Sequence, residues 1–218
     1  MSPRSIFAAF IAAAFVLGTG CKSIPPKDYT LFRQHIPKSI LVLPPLNETT
    51  EVEAPYGYLA AVTRPLSEWG YYVFPVAVID HFLKENGMPT PGEMHQIPLP
   101  KVREILGADA VLYITITKYG SKYQVINSKT IVWAKARLVD TQSGLVLWEG
   151  AGGAEMNSGG SGNIFGDLIA AVITQAVNSS TDQAHNLAHP AASVLIMAKD
   201  QGLLLGPRHP EFGKSAPK

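Results

Sequence analysis

The fold is decided by one run: Thr130-Ile131-Val132-Trp133-Ala134-Lys135-Ala136-Arg137-Leu138-Val139, then Asp140-Thr141-Gln142-Ser143-Gly144, then Leu145-Val146-Leu147-Trp148. Its first ten residues alternate. Val132, Ala134, Ala136 and Leu138 fall on one side, and Ile131, Trp133, Lys135, Arg137 and Val139 on the other. A period of two is the pattern of a β-strand. One side is small and apolar and the other is mixed, so the strand should bury one face and show the other in part to solvent. Asp140 to Gly144 has the composition of a hairpin turn, with Gly144 where a positive φ is needed. Leu145 to Trp148 then starts the return strand. Trp133 and Trp148 flank the turn, and a cross-strand aromatic pair is expected of them. They are also the candidate interaction face, with core packing as the plainer reading.

Working upstream, Ala110 to Thr117 alternates in part and reads as a central strand, which Tyr119 to Asn127 continues or turns. Lys101 to Leu106 reads as a short helix with Val102, Ile105 and Leu106 inward, stopped by Gly107. Met88 to Pro100 carries four prolines and reads as a loop. Val76 to Asn86 reads as a helix and Tyr71-Tyr72-Val73-Phe74 as a strand. In Tyr56 to Trp69, Leu59, Val62, Leu66 and Trp69 share one helical face. Pro65 is a kink or a start within it, and Gly70 a stop. Ser39-Ile40-Leu41-Val42-Leu43, ended by Pro44-Pro45, is a short apolar run suited to a strand buried on both faces, and Leu46 to Pro55 a loop.

Downstream, the return strand is expected to fray near Met156 into a mobile loop rich in Gly, Ser and Asn. Ile164 to Val177 has a broad apolar stripe and reads as a helix. A second helix is expected from about Pro190 to Lys199, with Pro190 tolerated in its first turn. Gly202 to Lys218 reads as a tail whose Leu203-Leu204-Leu205 docks on the domain. The order β-α-β-α-α-β-β-β-α predicts an α/β fold. Its mixed sheet would open with a parallel βαβ start and close with an antiparallel three-strand meander, with helices packed on it. A single α/β domain is expected over 39–205, with a C-terminal tail over 206–218.

The amino terminus specifies an address. Met1 to Ser5 is polar with Arg4, Ile6 to Leu17 is apolar, and Gly18-Thr19-Gly20 is small, the order of a secretory signal over 1–20. The apolar run falls short of the roughly 20 residues that span a bilayer. Cys21, the sole cysteine of the 218 residues, follows at once. The segment therefore resembles a bacterial lipoprotein signal, cleaved between Gly20 and Cys21, although Leu17 stands one place further from the cysteine than is usual. That resemblance implies a diacylglyceryl thioether on Cys21 and an amino group acylated after cleavage, with palmitate. Two or more chains hold a protein stably, at about 0.8 kcal/mol per buried methylene. Lys22, in place of an aspartate, is what the resemblance associates with the outer membrane. The alternative is an ordinary secreted protein with a free Cys21. Lys22 to Lys38 carries Pro25, Pro26 and Pro37 and reads as a lipidated tether over 21–38. Tyr29 to Ile36 remains open between tether and first packed segment.

Charge excludes one class of partner. The 18 basic and 17 acidic side chains give a formal net charge of +1, which loss of Arg4 takes to zero. Nucleic-acid binders concentrate basic charge, so no nucleic acid is expected.

No catalytic set stands out, and no metal or cofactor is expected. Asp182, His185 and His189 would share a helical face at a spacing metal ligands use, but Pro190 follows directly and no glutamate follows His185. A solvated polar face is the reading taken. His35, His81, His95 and His209 are scattered, and no Gly-x-Ser-x-Gly elbow anchors a triad. Gly150, Gly152, Gly153, Gly159, Gly160 and Gly162 lack the lysine of a phosphate loop and read as a flexible loop.

A set of blocks resembles one lipoprotein family: Ser39 to Pro45, Gly70 to Val73, Arg103 to Ile105, Gly107-Ala108-Asp109-Ala110, Tyr113-Ile114, Leu138-Val139-Asp140, Gly144 with Leu147-Trp148, and Gly206-Pro207-Arg208. It is a family of bacterial lipoproteins of unknown function that includes a meningococcal surface antigen, and the likeness covers nearly the whole chain after residue 20. The resemblance implies a domain like the amino-terminal domain of the translocation protein TolB and that of curli-export lipoproteins, which share the Asp-x-x-x-Gly-x-x-Leu-Trp hairpin. It supplies no catalytic residues. It implies a non-enzymatic accessory of an envelope export or assembly complex, anchored at the periplasmic side of the outer membrane by membrane lipid through Cys21. Partners would be other envelope lipoproteins or export components, with a homo-oligomer as a further expectation. A periplasmic module for a small ligand is the alternative, and an envelope hydrolase the weakest one.

Overall fold

The computed structural model describes residues 27–123, 128–157 and 183–214. In chain order its elements are α1 Thr30–Gln34, β1 Ser39–Val42, β2 Leu46–Asn47, α2 Ala54–Glu68, β3 Tyr72–Val73, α3 Val76–Glu85, α4 Pro91–Met94, α5 Leu99–Leu106, β4 Ala110–Tyr123, β5 Ser128–Asp140, β6 Val146–Asn157 and α6 Gln183–Met197. The sheet runs β3-β1-β4-β5-β6, with β2 pairing β4 beyond the end of β1. β1 is parallel to β3 and β4, and β4, β5 and β6 form the antiparallel meander. The mixed α/β sheet read from the alternation is thus the observed one.

Two apolar layers sandwich the sheet. On one side, Ile40, Val42, Leu112, Ile114, Ile116, Val132, Ala134, Ala136 and Leu138 meet Tyr58, Leu59, Val62 and Leu66 of α2 and Leu187, Ala191 and Leu195 of α6. On the other, Leu41, Leu43, Val111, Tyr113 and Val139 meet Ile79, Leu83, Met94 and Val102 from α3, α4 and α5. The two lists alternate along each strand because successive side chains point to opposite faces. Burying each large aliphatic side chain contributes about 1.5–3 kcal/mol.

The β5–β6 hairpin closes as its chemistry requires. Gly144 has φ +72°. The Asp140 carboxylate accepts from the Gln142 N–H at 3.1 Å and from the Ser143 N–H and hydroxyl at 2.6 Å each. Burial works to raise the Asp140 carboxyl pKa, but these bonds to its charged form hold it below the usual range.

Several expectations need correction. Ile105, expected inward, is 59% exposed; Val102 is the buried residue of α5, and Leu106 packs against the same cluster partly buried, as expected. The proline-rich loop from Met88 contains α4, because Thr90 and Glu93 form a reciprocal capping box. The last helix begins seven residues before Pro190, so Pro190 is interior to α6. A proline inside a helix costs about 3 kcal/mol, and burial of Ala184, Leu187 and Ala188 in the preceding turns offsets it. Gly150, Gly152 and Gly153 are strand residues of β6, not loop. A Cβ on Gly152 would lie 2.8 Å from the Leu195 Cα, and one on Gly150 would run into the Trp148 indole. These glycines let α6 and an indole lie flat on the sheet. The helix expected over 164–177 and Gly159, Gly160 and Gly162 lie outside the described residues.

Both ends of the described chain are fastened. Of the two readings of 29–36, the packed segment holds: Phe32 is fully buried and the Tyr29 hydroxyl donates to the Gly202 carbonyl at 2.5 Å. The return after α6 accepts three more aromatic donors. Trp148 Nε1 donates to Gln201 O at 2.9 Å, Trp69 Nε1 to Leu203 O at 2.8 Å, and the Tyr71 hydroxyl to Leu204 O at 2.5 Å. Beyond residue 205 the Gly206 and Arg208 N–H groups still bond Trp69 O and Gly70 O, so the tail proper begins later than the sequence suggests.

Candidate binding groove

The meander strands are long and the cover on their second side is not. Past Tyr113 that side opens into a groove of about 590 Å³, lined among others by Lys27, His95, Tyr113, Lys135, Arg137 and Glu149. Alternation along β5 puts Lys135 and Arg137 there, two residues apart and both exposed. Tyr113 is the floor, 8% exposed. The Arg137 guanidinium lies 4.8 Å from its ring centroid, within cation–π range. His95 meets the same ring edge-on at 5.2 Å, and its Nε2–H donates to the Pro44 carbonyl at 2.9 Å.

At the β6 border, Lys27 lies 5.2 Å from the centroid of a Trp148 ring. Its N–H bonds Asp200 O at 3.3 Å, so the start of the described chain is part of the groove wall. Lys27, Lys135 and Arg137 bring three positive charges against Glu149. Burial lowers the pKa of His95, and Arg137 lowers it further against the Pro44 hydrogen bond. Burial likewise pulls Lys27 down, opposed by Glu149. No salt bridge joins Lys135 or Arg137 to an acidic group among the described residues. The chemistry available here is recognition of an anionic group beside an aromatic floor.

The residues singled out from sequence fall elsewhere or only at the margins. Gly20 and Cys21 lie outside the described residues. Trp133 and Trp148 do not pair: Trp133 stands opposite Gly153, and Trp148 opposite Leu138. Trp148 is buried with the α6 layer, whereas Trp133 is half-buried on the other side of the sheet. The expected pair fails on register, since the two lie at different heights and on different faces. His185 and His189 stack edge-on at 6.1 Å on the exposed face of α6, and Asp182 lies outside the described residues. Among the described residues no three His, Cys, Asp or Glu side chains converge as a metal site. His209 packs on Trp69 at 6.1 Å.

Sequence reasoning missed the groove as a site. Lys135 and Arg137 were legible as the solvent side of a strand, but their union with Lys27 and His95 depends on tertiary contacts. The blocks that carried the family resemblance prove architectural. Asp109 accepts from the Lys38 N–H at 3.0 Å and from the Ser39 N–H and hydroxyl at 3.1 and 3.0 Å, stitching β1 to β4. The Thr141 hydroxyl donates to Ala108 O at 2.6 Å, tying the hairpin to the same corner.

Among the described residues no helix is long and apolar enough to cross a membrane. A family model described as "Putative lipoprotein GNA1162-like" matches residues 27–208. The putative lipoprotein NMB1124/NMB1162 of Neisseria meningitidis serogroup B is 44% identical over 189 residues, 86% of this chain and 88% of that protein. The crystal structure of lipoprotein GNA1162 from Neisseria meningitidis is 50% identical with a TM-score of 0.54, over 57% of this chain and 87% of that one. The matched span begins at Lys27 and ends at Arg208, whose N–H groups bond Asp200 O and Gly70 O, and the chain belongs to the GNA1162-like lipoprotein family, whose function is unknown.

Proposed function

We propose that this chain is a non-enzymatic accessory of an envelope export or assembly complex, made with a signal peptide over 1–20. Acyl chains on Cys21 hold it at the periplasmic side of the outer membrane. The observation that carries this reading is the unequal cover of the sheet. One side is sealed by α2 and α6, while the other leaves the β5 residues Ile131 and Trp133 half-buried and Lys135 and Arg137 exposed. A half-buried tryptophan on an open sheet face suits a partner protein, because aromatic anchors dominate such contacts. Membership of a lipoprotein family supports the anchor.

Two experiments test it. Radioactive fatty acid should label the wild-type chain and not Cys21→Ala; equal labelling removes the anchor. A photo-crosslinking amino acid at Ile131, in intact cells, should give discrete adducts with envelope proteins, whereas the same group at Glu68 on the outer face of α2 should not. Indistinguishable patterns from the two positions would remove the docking face.

The alternative, a module for a small ligand, is favoured by one observation, the Tyr113 groove with its surplus of positive charge.

A further inference from the structure

We infer that the Lys27–Lys135–Arg137 groove binds the phosphate of an anionic lipid headgroup in the membrane that carries the anchor. The inference rests on the Cys21 anchor of the preceding reading and adds to it a site and a ligand class.

Chain length supplies the first argument. Residues 29–36 are packed, with Phe32 fully buried, and Lys27 is bonded to the residue 200 turn. Only residues 22–26 then separate Cys21 from the docked chain. The six Cα-to-Cα steps from Cys21 to Lys27 reach about 20 Å at full extension. Lys27 is both the end of that short connection and a wall of the groove. The anchor therefore keeps the groove wall at Lys27 within about 20 Å of the headgroups.

Charge and shape supply the second. Three cations face one carboxylate, Glu149, along the open strands. Arg137 is held by its stack on Tyr113, and its planar fork suits a phosphate bidentately. Lys135 and Lys27 add point charges. The Tyr113 and Thr115 side chains and the flat Ala151 of β6 complete a floor that is open on one side, as a headgroup still tethered to its bilayer requires. A net charge near zero for the whole chain makes this local surplus the more distinct.

The test uses the chain from residue 21 onward with Cys21→Ser, so that no acyl chain contributes. Co-sedimentation is compared for vesicles of phosphatidylcholine alone and of equal parts phosphatidylcholine and phosphatidylglycerol. Binding should appear on the anionic vesicles only and should weaken about fivefold for each of Lys135→Gln and Arg137→Gln. Lys101→Gln on α5, outside the groove, should leave it unchanged. Equal binding to both vesicle types, or equal losses for Lys135→Gln and Lys101→Gln, overturns the inference. So does saturation of the groove by micromolar glycerol 3-phosphate in the absence of vesicles, which identifies the ligand as a free phosphorylated compound. These results are independent of fatty-acid labelling at Cys21, so a failed anchor and a failed groove give different patterns.

Discussion

The two sides of the sheet are made from alternate residues of the same strands, yet one is closed and the other half open. The closed side packs Ile114, Ile116, Val132, Ala134 and Leu138 under α2 and α6. Among the described residues the second side is covered only by α3, α4 and α5, over β1 and the start of β4. Connectivity explains the difference. These three helices all lie in the link from β3 to β4, and β3, β1 and β4 are neighbours in the sheet. A link between strands so close covers that end and stops. β5 and β6, at 13 and 12 residues, extend past it against the 4 residues of β1. The open half is thus a consequence of strand length and chain order, and the side chains placed there are those that tolerate water.

The comparison is broken or sharpened most by neighbours on one strand. Leu138→Ala empties a fully buried site on the closed side and should cost about 2–5 kcal/mol. Arg137→Ala, one residue away on the open side, should cost less than about 1 kcal/mol, the worth of an exposed cation–π contact. Urea midpoints for the two variants measure the contrast, and similar losses would show that the open side is covered in solution.

A smaller difference is expected on β6. Gly152→Ala places a Cβ 2.8 Å from the Leu195 backbone, which must force α6 away, at about 1–3 kcal/mol. Ala151→Ser faces the groove and should stay within about 0.5 kcal/mol. If both are neutral, α6 does not lie against β6 as described.

Asp140 serves both sides, since its turn sets the register of β5 on β6. Its folded carboxyl pKa is lowered, so its contribution is complete at neutral pH and is lost as pH falls through the carboxylate range. Asp140→Asn should cost about 1–2 kcal/mol at neutral pH and nothing at low pH, where the wild-type group is protonated too. A pH-independent loss in chemical denaturation would assign the turn's stability to Gly144 and Ser143 instead.

The smallest effect is at the boundary between the covered and open halves. His95 has a lowered pKa, chiefly from burial, so the folded protein favours its neutral form. That preference contributes fully above the ordinary imidazole range and is lost as pH falls through it, because the unfolded chain takes up the proton first. Thermal melts between about pH 8 and about pH 5 should therefore decline less steeply for His95→Gln than for wild type. Parallel curves would place His95 in open solvent.

Much of the fold was legible because it is written in local patterns. Alternation in 130–139 marked the strand and its half-wet face, and Asp140 to Gly144 marked the turn. The apolar run at 39–43 marked the strand buried on both faces. Helix α4 was missed although its Thr90–Glu93 capping box is a local signal; other misreadings had a tertiary cause. Gly150 to Gly153 resembles loop composition, and nothing local announces that an indole and a helix backbone will lie where the Cβ atoms would be. Pro190 resembles a helix start, and only burial of the turns before it carries the helix through. The groove was the least legible feature, since Lys27, His95 and Arg137 are far apart in sequence and meet only when the chain ends are docked.

The sequence by itself determined every strand except the two-residue β2, read as loop, together with the hairpin and which residues of β5 face the core, because side-chain alternation and turn geometry act over a few residues. It also carried the blocks that marked the family. Tertiary structure alone decided which stretch of sheet stays uncovered, that Lys27 is a wall of it, and that the two tryptophans of the hairpin lie on opposite faces. Those outcomes depend on strand length, register and the docking of remote segments, which no local pattern encodes.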